Sequence, residues 1–200
     1  IKFYIRIMVS KDTIRGVKRM ELKMIIAGFG GQGVMVTGKL LGYAACAHNK
    51  QAMFLPQYGP EQRGGTASCT VILSEDEIGS PIVGKADVLM VFNQPSLEKF
   101  LPRLKEGGLL FANATLCDTA GLEGRFEVIS IPVDDMAKEM CVRLVANMIM
   151  TGAFTSKTGI FTADEISESV IHVLGKKPEL IDLNEAAVQK GIALMKTATA

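Results

Sequence analysis

Six consecutive residues, Gly28-Phe29-Gly30-Gly31-Gln32-Gly33, hold the clearest chemical potential in this sequence. They follow an isoleucine-rich apolar run at 22–27 and precede Leu40, Leu41, Ala44 and Ala45, which recur at helical spacing. Glycine has no Cβ, so the chain can turn tightly there and a ligand can touch the main chain. The amides that open the following helix can hold an anion, usually a phosphate. A dinucleotide site of this form also expects an acidic residue about 20 positions on, to hold the ribose. Residues 49–55 read Asn-Lys-Gln-Ala-Met-Phe-Leu and contain none. No Gly-Lys-Ser/Thr follows the loop, which removes the P-loop reading. Three roles stay open: a free NAD(P) or FAD site, a cradle for a phosphate-bearing ligand or a partner's cofactor, and a turn that packs helix on strand.

A second stretch, Gln57-Tyr58-Gly59-Pro60-Glu61-Gln62-Arg63-Gly64-Gly65, is too polar for core and too varied for a plain turn. Arg63 could grip a carboxylate or phosphate, Glu61 could pair with it, and Tyr58 could stack or hydrogen-bond. The alternative is a solvated loop whose Arg–Glu pair contributes at most about 1 kcal/mol. No catalytic constellation is expected: no Ser–His–Asp set with a nucleophile elbow appears. No metal site is expected either. Cys46, Cys69, Cys117 and Cys141 form no C-x-x-C pair, and His48 and His172 stand apart. The cysteines read as reduced thiols, which with the absence of a secretion signal points to the cytoplasm. Asp134-Asp135 reads as a helix start, and the methionines of 136–150 as packing.

The 200 residues fit one domain with a sizeable core. Hydrophobic residues make up 48%, yet no apolar run reaches a membrane span, so no membrane contact is expected. A formal charge of +1 and 6% aromatic residues leave no nucleic-acid footprint. Residues 1–20 carry Lys2, Arg6, Lys11, Arg15, Lys18 and Arg19 against one acid, Asp12. They read as an N-terminal extension, derived from upstream sequence or adding an edge strand at 2–9, with Met20 as a candidate start. Residues 21–200 form the single domain.

These loops need elements to position them. Strands are expected at 22–27, 52–55 (ended by Pro56), 66–73, 86–92, 109–112 and 126–132, with an acidic turn at 74–77. Helices are expected at 34–47, from a Ser96 cap to about 104 with Gly107-Gly108 closing it, at 136–151, at 162–173 and at 184–196. Thr162 with Glu165 forms a capping box. The alternation implies an α/β, Rossmann-like three-layer fold with a mostly parallel sheet and helices on both faces. Ligands in such folds bind beyond the carboxyl ends of the strands, which directs attention to 28–33, 57–65, 93–96 and 113–115.

Three stretches together resemble the gamma subunit of the 2-oxoacid:ferredoxin (acceptor) oxidoreductases. They are Ile25-Ile26-Ala27-Gly28-Phe29-Gly30-Gly31-Gln32-Gly33-Val34, Tyr58-Gly59-Pro60-Glu61-Gln62-Arg63-Gly64-Gly65-Thr66-Ala67, and Ile78-Gly79-Ser80-Pro81-Ile82-Val83. Asn93 and residues 147–152 also fit, and the likeness runs from about Leu22 to Lys196. The resemblance implies a complex that oxidatively decarboxylates a 2-oxoacid, passes the acyl group to coenzyme A and reduces ferredoxin. Thiamine diphosphate, Mg and Fe–S clusters would lie mainly on the alpha, beta and delta subunits or domains, with none bound tightly by this chain. It also implies that Gly28, Gly30, Gly31, Gln32, Gly33, Tyr58, Glu61, Arg63, Gly64 and Gly65 are cofactor-binding or interface-loop positions. The Gly-Phe-Gly-Gly-Gln-Gly form resembles the 2-oxoglutarate type first and the 2-oxoisovalerate type next. The isolated chain is expected to be inactive and free to self-associate. A stand-alone nucleotide-binding oxidoreductase and an indolepyruvate oxidoreductase beta-type chain are the alternatives.

Overall fold

The computed structural model describes residues 20–58, 65–140, 145–175 and 180–197. The chain opens with strand β1 (Glu21–Phe29), helix α1 (Val34–Ala47), and strands β2 (Gln51–Tyr58) and β3 (Thr66–Ser74). Strand β4 (Ala86–Val91), helix α2 (Gln94–Phe100), a 3-10 turn (Leu101–Arg103), β5 (Leu104–Asn113) and β6 (Glu127–Ile131) follow. Helices α3 (Val133–Glu139), α4 (Ala146–Thr158), α5 (Ala163–Leu174) and α6 (Ile181–Thr197) complete it. The extension at 1–19, with its suggested edge strand, lies outside the described residues.

The six strands form one sheet in the order β2-β3-β1-β4-β5-β6. Neighbours β1–β4, β4–β5 and β5–β6 are parallel, whereas β3 runs antiparallel to both β1 and β2. The sheet is therefore mostly parallel, with one reversed strand. The reversal follows from length: the link from β2 to β3 is seven residues, enough for a hairpin and too short for a parallel crossover.

Side chains of β1 alternate between two cores, as the two-residue period of a strand requires. Leu22, Met24 and Ile26 join Val88, Met90, Phe92 and Phe111 beneath α1, α3, α4, α5 and α6. Ile25 and Ala27 join Leu89, Val91, Leu110 and Ala112 on the other face. That second face is covered by α2, through Leu97 and Phe100, and by loop residues Val83, Cys117 and Phe126. Among the described residues the three layers are thus uneven, with five helices on one side and one on the other. Each fully buried large side chain, such as Phe154 or Phe111, contributes about 1.5–3 kcal/mol.

Helix α4 is the centre of the thick layer and is buried nearly all round. It packs against α6 main chain to main chain. A Cβ on Gly152 would collide with the Val188 carbonyl, and one on Gly191 with the Ile149 carbonyl. Thr162 and Glu165 form the expected capping box at α5, with both reciprocal bonds present. Asp134 and Asp135 sit in the first turn of α3, as expected.

Several boundaries differ from the sequence expectation. Pro56 does not end β2; it pairs with Cys69 inside an edge strand, where a missing N–H costs little. Asn93, not Ser96, caps α2: its Oδ1 accepts the Ser96 N–H at 2.9 Å. Gly107-Gly108 do not close a helix; they lie within β5, next to a register shift between Ala86 and Val88. Gly107 has φ 71°, and a Cβ on Gly108 would meet the Asp87 carbonyl at 3.0 Å. Residues 136–151 are not one helix: α3 ends at Glu139 with a turn at Met140, α4 starts at Ala146, and 141–144 lie outside the described residues.

Candidate functional site

The glycine loop joins the carboxyl end of β1 to α1, at the point where the sheet's connections diverge. From β1 the chain leads through α1 to β2 on one side; from β4 it leads through α2 to β5 on the other. Gly33 is the residue before α1 and takes a left-handed conformation, φ 78°, with no side-chain cap for the helix. Gly31 is also left-handed, φ 100°. Among the described residues, no atom stands within 4 Å of where a Cβ on Gly30 or Gly31 would be. Gly28 is enclosed by Gln32, Val34 and Phe92.

Gln32 folds back over its own loop. Its Oε1 accepts the Phe29 N–H at 2.7 Å and Asn93 Nδ2 at 2.8 Å, and its Nε2 donates to the Phe92 carbonyl at 3.1 Å. Main-chain partners fix both amide orientations, since Asn93 Oδ1 is taken by the Ser96 N–H. The Phe92 carbonyl also accepts Asn113 Nδ2 at 3.2 Å, and the same Nδ2 donates to Asp134 at 3.0 Å. From the other side Asn147, one residue into α4, donates to the Gly33 carbonyl at 3.4 Å and to Thr37 Oγ1 at 3.3 Å. A line of side-chain amides therefore ties β1, β4, β5 and two helices together at one sheet edge. Asn93, Asn113 and Asn147 were legible only as members of loops or of the resemblance, because their partners are 21 to 114 residues away.

The second motif reaches the same edge. Tyr58 pairs with Ala67, which pairs with Gly28 in the next strand. The Gly30 N–H donates to the Gly65 carbonyl at 3.2 Å. Tyr58 is 73% exposed and Phe29 36% exposed; by the two-residue period of the strands Tyr58 shares the face of Ala67 and Gly28, and Phe29 points to the opposite face. Glu61, Arg63 and Gly64 lie outside the described residues, and with them the suggested Glu–Arg pair.

Among the described residues, the charged groups near this edge include Asp134, Asp135 and Lys138. Lys138, then Thr115, hold the Asp135 carboxyl below its ordinary value. Burial, reinforced by Asp134 and opposed by the Asn113 bond, pushes the Cys117 thiol up to about 11. Burial alone pushes Cys69 up to about 12. Neither is a thiolate near neutral pH. Cys69 belongs to one core and Cys117 to the other, on opposite faces of the sheet, while Cys46 is exposed. Those three thiols do not fit an Fe–S cluster, and Cys141 lies outside the described residues. Among the described residues no three His, Cys, Asp or Glu side chains converge as metal ligands, so nothing described fits a metal-bound diphosphate either. No helix among them is long and apolar enough to cross a membrane.

Comparison with known proteins agrees with this geometry. A family model described as pyruvate ferredoxin/flavodoxin oxidoreductase matches residues 23–194. The ketoisovalerate oxidoreductase subunit VorA of Methanothermobacter marburgensis is 39% identical over 182 residues, covering 90% of this chain. This chain spans only 38% of that relative's length. The 2-oxoglutarate synthase subunit KorC of Methanocaldococcus jannaschii is 33% identical over 181 residues, 89% of this chain and 96% of KorC. Among solved structures, the gamma subunit of a keto/oxoacid ferredoxin oxidoreductase from Geobacter sulfurreducens PCA superposes with a TM-score of 0.74 at 29% identity. It covers 88% of this chain and 99% of that one. A family match over residues 23–194, with a gamma-subunit structure superposing over 88% of the chain, places the chain in the pyruvate ferredoxin/flavodoxin oxidoreductase family, as a gamma-type domain.

Proposed function

We propose that this chain is the gamma subunit or domain of a coenzyme A-acylating 2-oxoacid:ferredoxin oxidoreductase, inactive alone. Its edge at β1, β2 and β4 is the surface that alpha and beta chains complete, in the cytoplasm. The observation that carries the proposal is the meeting of the two motif loops through the Gly30–Gly65 bond, at the end of β2 where Tyr58 is exposed. An exposed tyrosine such as Tyr58 is a typical anchor of a protein interface.

In the complex, thiamine diphosphate with Mg and the Fe–S clusters would supply carbanion and electron-transfer chemistry from the other subunits. The residues of this chain position rather than react. Gln32 and Asn147 hold the glycine loop from two sides. The open main chain at Gly30 and Gly31 and the Tyr58–Gly65 loop meet the partner or its bound coenzyme A. Glu61, Arg63 and Gly64 belong to this surface by sequence, Arg63 as the group suited to a phosphate or carboxylate. We favour 2-oxoglutarate as the substrate of the assembly. The 39% identity to a ketoisovalerate subunit supports 2-oxoisovalerate as the second reading.

Arg63→Ala and Tyr58→Ala, each co-expressed with alpha and beta chains, test the surface. Assembly yield or coenzyme A affinity should fall in both, while the Tm of the isolated chain moves little, as for other exposed substitutions. A large loss of isolated-chain stability with an unaffected complex would reject it.

A further inference from the structure

We infer that Gln32 is a built-in substitute for a bound oxyanion, and that its side chain plugs the glycine loop against free phosphate ligands. The inference deepens the reading above, in which this loop serves a partner rather than a free dinucleotide. Two donors from different elements converge on one point: the Phe29 N–H at the end of β1, and Asn93 Nδ2 at the start of α2. Convergent N–H donors at the carboxyl ends of parallel strands, where doubly wound sheets bind ligands, suit an oxyanion oxygen. Here the oxygen is Gln32 Oε1, at 2.7 and 2.8 Å.

The rest of the side chain locks it in place. Nε2 donates to the Phe92 carbonyl at 3.1 Å, an acceptor that an anion would repel. Oε1 would also lie 2.8 Å from a Cβ on Gly28, so the glycine there makes room for the protein's own amide rather than for a ligand. A phosphate can reach neither donor while Gln32 is in place. The absence of a ribose-binding acid at 49–55 agrees with a loop whose two inner donors are already taken by the protein's own amide. Among the described residues, nothing stands within 4 Å of where a Cβ on Gly30 or Gly31 would be.

Thermal unfolding of the full chain against inorganic phosphate, at constant ionic strength set with chloride, tests this. The readout is the Tm response of each variant minus that of the wild type, which removes the general salting effect of phosphate. Gln32→Ala should lose several degrees in Tm without phosphate and recover part of that loss with phosphate. Gln32→Met fills the space without an acceptor and should lose stability without recovery. The wild type should show no saturable response to phosphate or ADP. Saturable binding of either to the wild type, a Gln32→Ala variant that gains nothing from phosphate, or equal recovery by Gln32→Met would overturn the inference. If Gln32→Ala does not fold alone, its refolding yield with and without phosphate reads the same effect, and no gain overturns it. None of these readouts needs a partner subunit. They can fail while the subunit reading stands, and 2-oxoacid turnover by the isolated chain would sink that reading without touching this one.

Discussion

Replacing Gly33 by alanine separates the structural duty of the glycine loop from its duty toward a partner. Gly33 has φ 78°, and an added Cβ would stand 2.6 Å from Asn147 Nδ2 and 2.9 Å from Asn147 Cβ. A left-handed conformation costs an alanine about 1–2 kcal/mol, and forcing Asn147 aside costs about 1–3 kcal/mol more. The sum, roughly 2–5 kcal/mol, is a large share of a typical domain's stability of about 5–15 kcal/mol. For a chain of this size it should lower Tm by roughly 4–20 °C. Gly30→Ala is the matched control, since among the described residues nothing lies within 4 Å of its Cβ and its φ is not positive. It should change isolated-chain stability by less than about 0.5 kcal/mol yet weaken assembly, because the new methyl stands on the proposed contact surface. Urea unfolding followed by circular dichroism, with m compared across variants, gives both numbers. Equal stability of Gly33→Ala and wild type, or equal damage from Gly30→Ala and Gly33→Ala, would refute this account of the loop.

Other regions make independent predictions. Gly191→Ala should cost about 1–3 kcal/mol or more by overpacking, because its Cβ collides with the Ile149 carbonyl; limited proteolysis should show α6 released first. Alkylation at pH 8 with peptide mapping should label Cys46 in the native chain and reach Cys69 and Cys117 only on unfolding, since both are buried with raised pKa values. A thiol whose folded pKa lies above its unfolded value contributes stability below the unfolded pKa and loses it as pH rises. Wild type should therefore lose stability relative to Cys69→Ala between pH 9 and about 12, read as converging urea midpoints.

The sequence made some of this plain and hid the rest for physical reasons. The apolar run before Gly28 and the helical spacing after Gly33 are local signals, and β1, the loop and α1 follow from them. The capping box at Thr162 is local too. The break between α3 and α4 is not, because α4 is buried on nearly every side and shows no apolar stripe to end. The reversal of β3 was available from the short β2–β3 link and was obscured by the alternation of strands with helices. Glycines 107 and 108 read as a helix stop because a β-bulge and a helix end demand the same residue. Both motifs were visible as chemistry in search of a ligand. That the Gln32 amide is held by β4, and that Asn147 closes on Gly33 from 114 residues away, are facts of tertiary structure alone.

The central claim is that this chain works only as part of an assembly. The direct measurement is coenzyme A-dependent reduction of ferredoxin with 2-oxoglutarate, and with 2-oxoisovalerate, by the purified chain and by the chain co-purified with alpha and beta subunits. The account predicts no turnover of either acid by the chain alone and turnover when the subunits are together. Turnover by the isolated chain, or a fully active complex lacking it, would contradict the account.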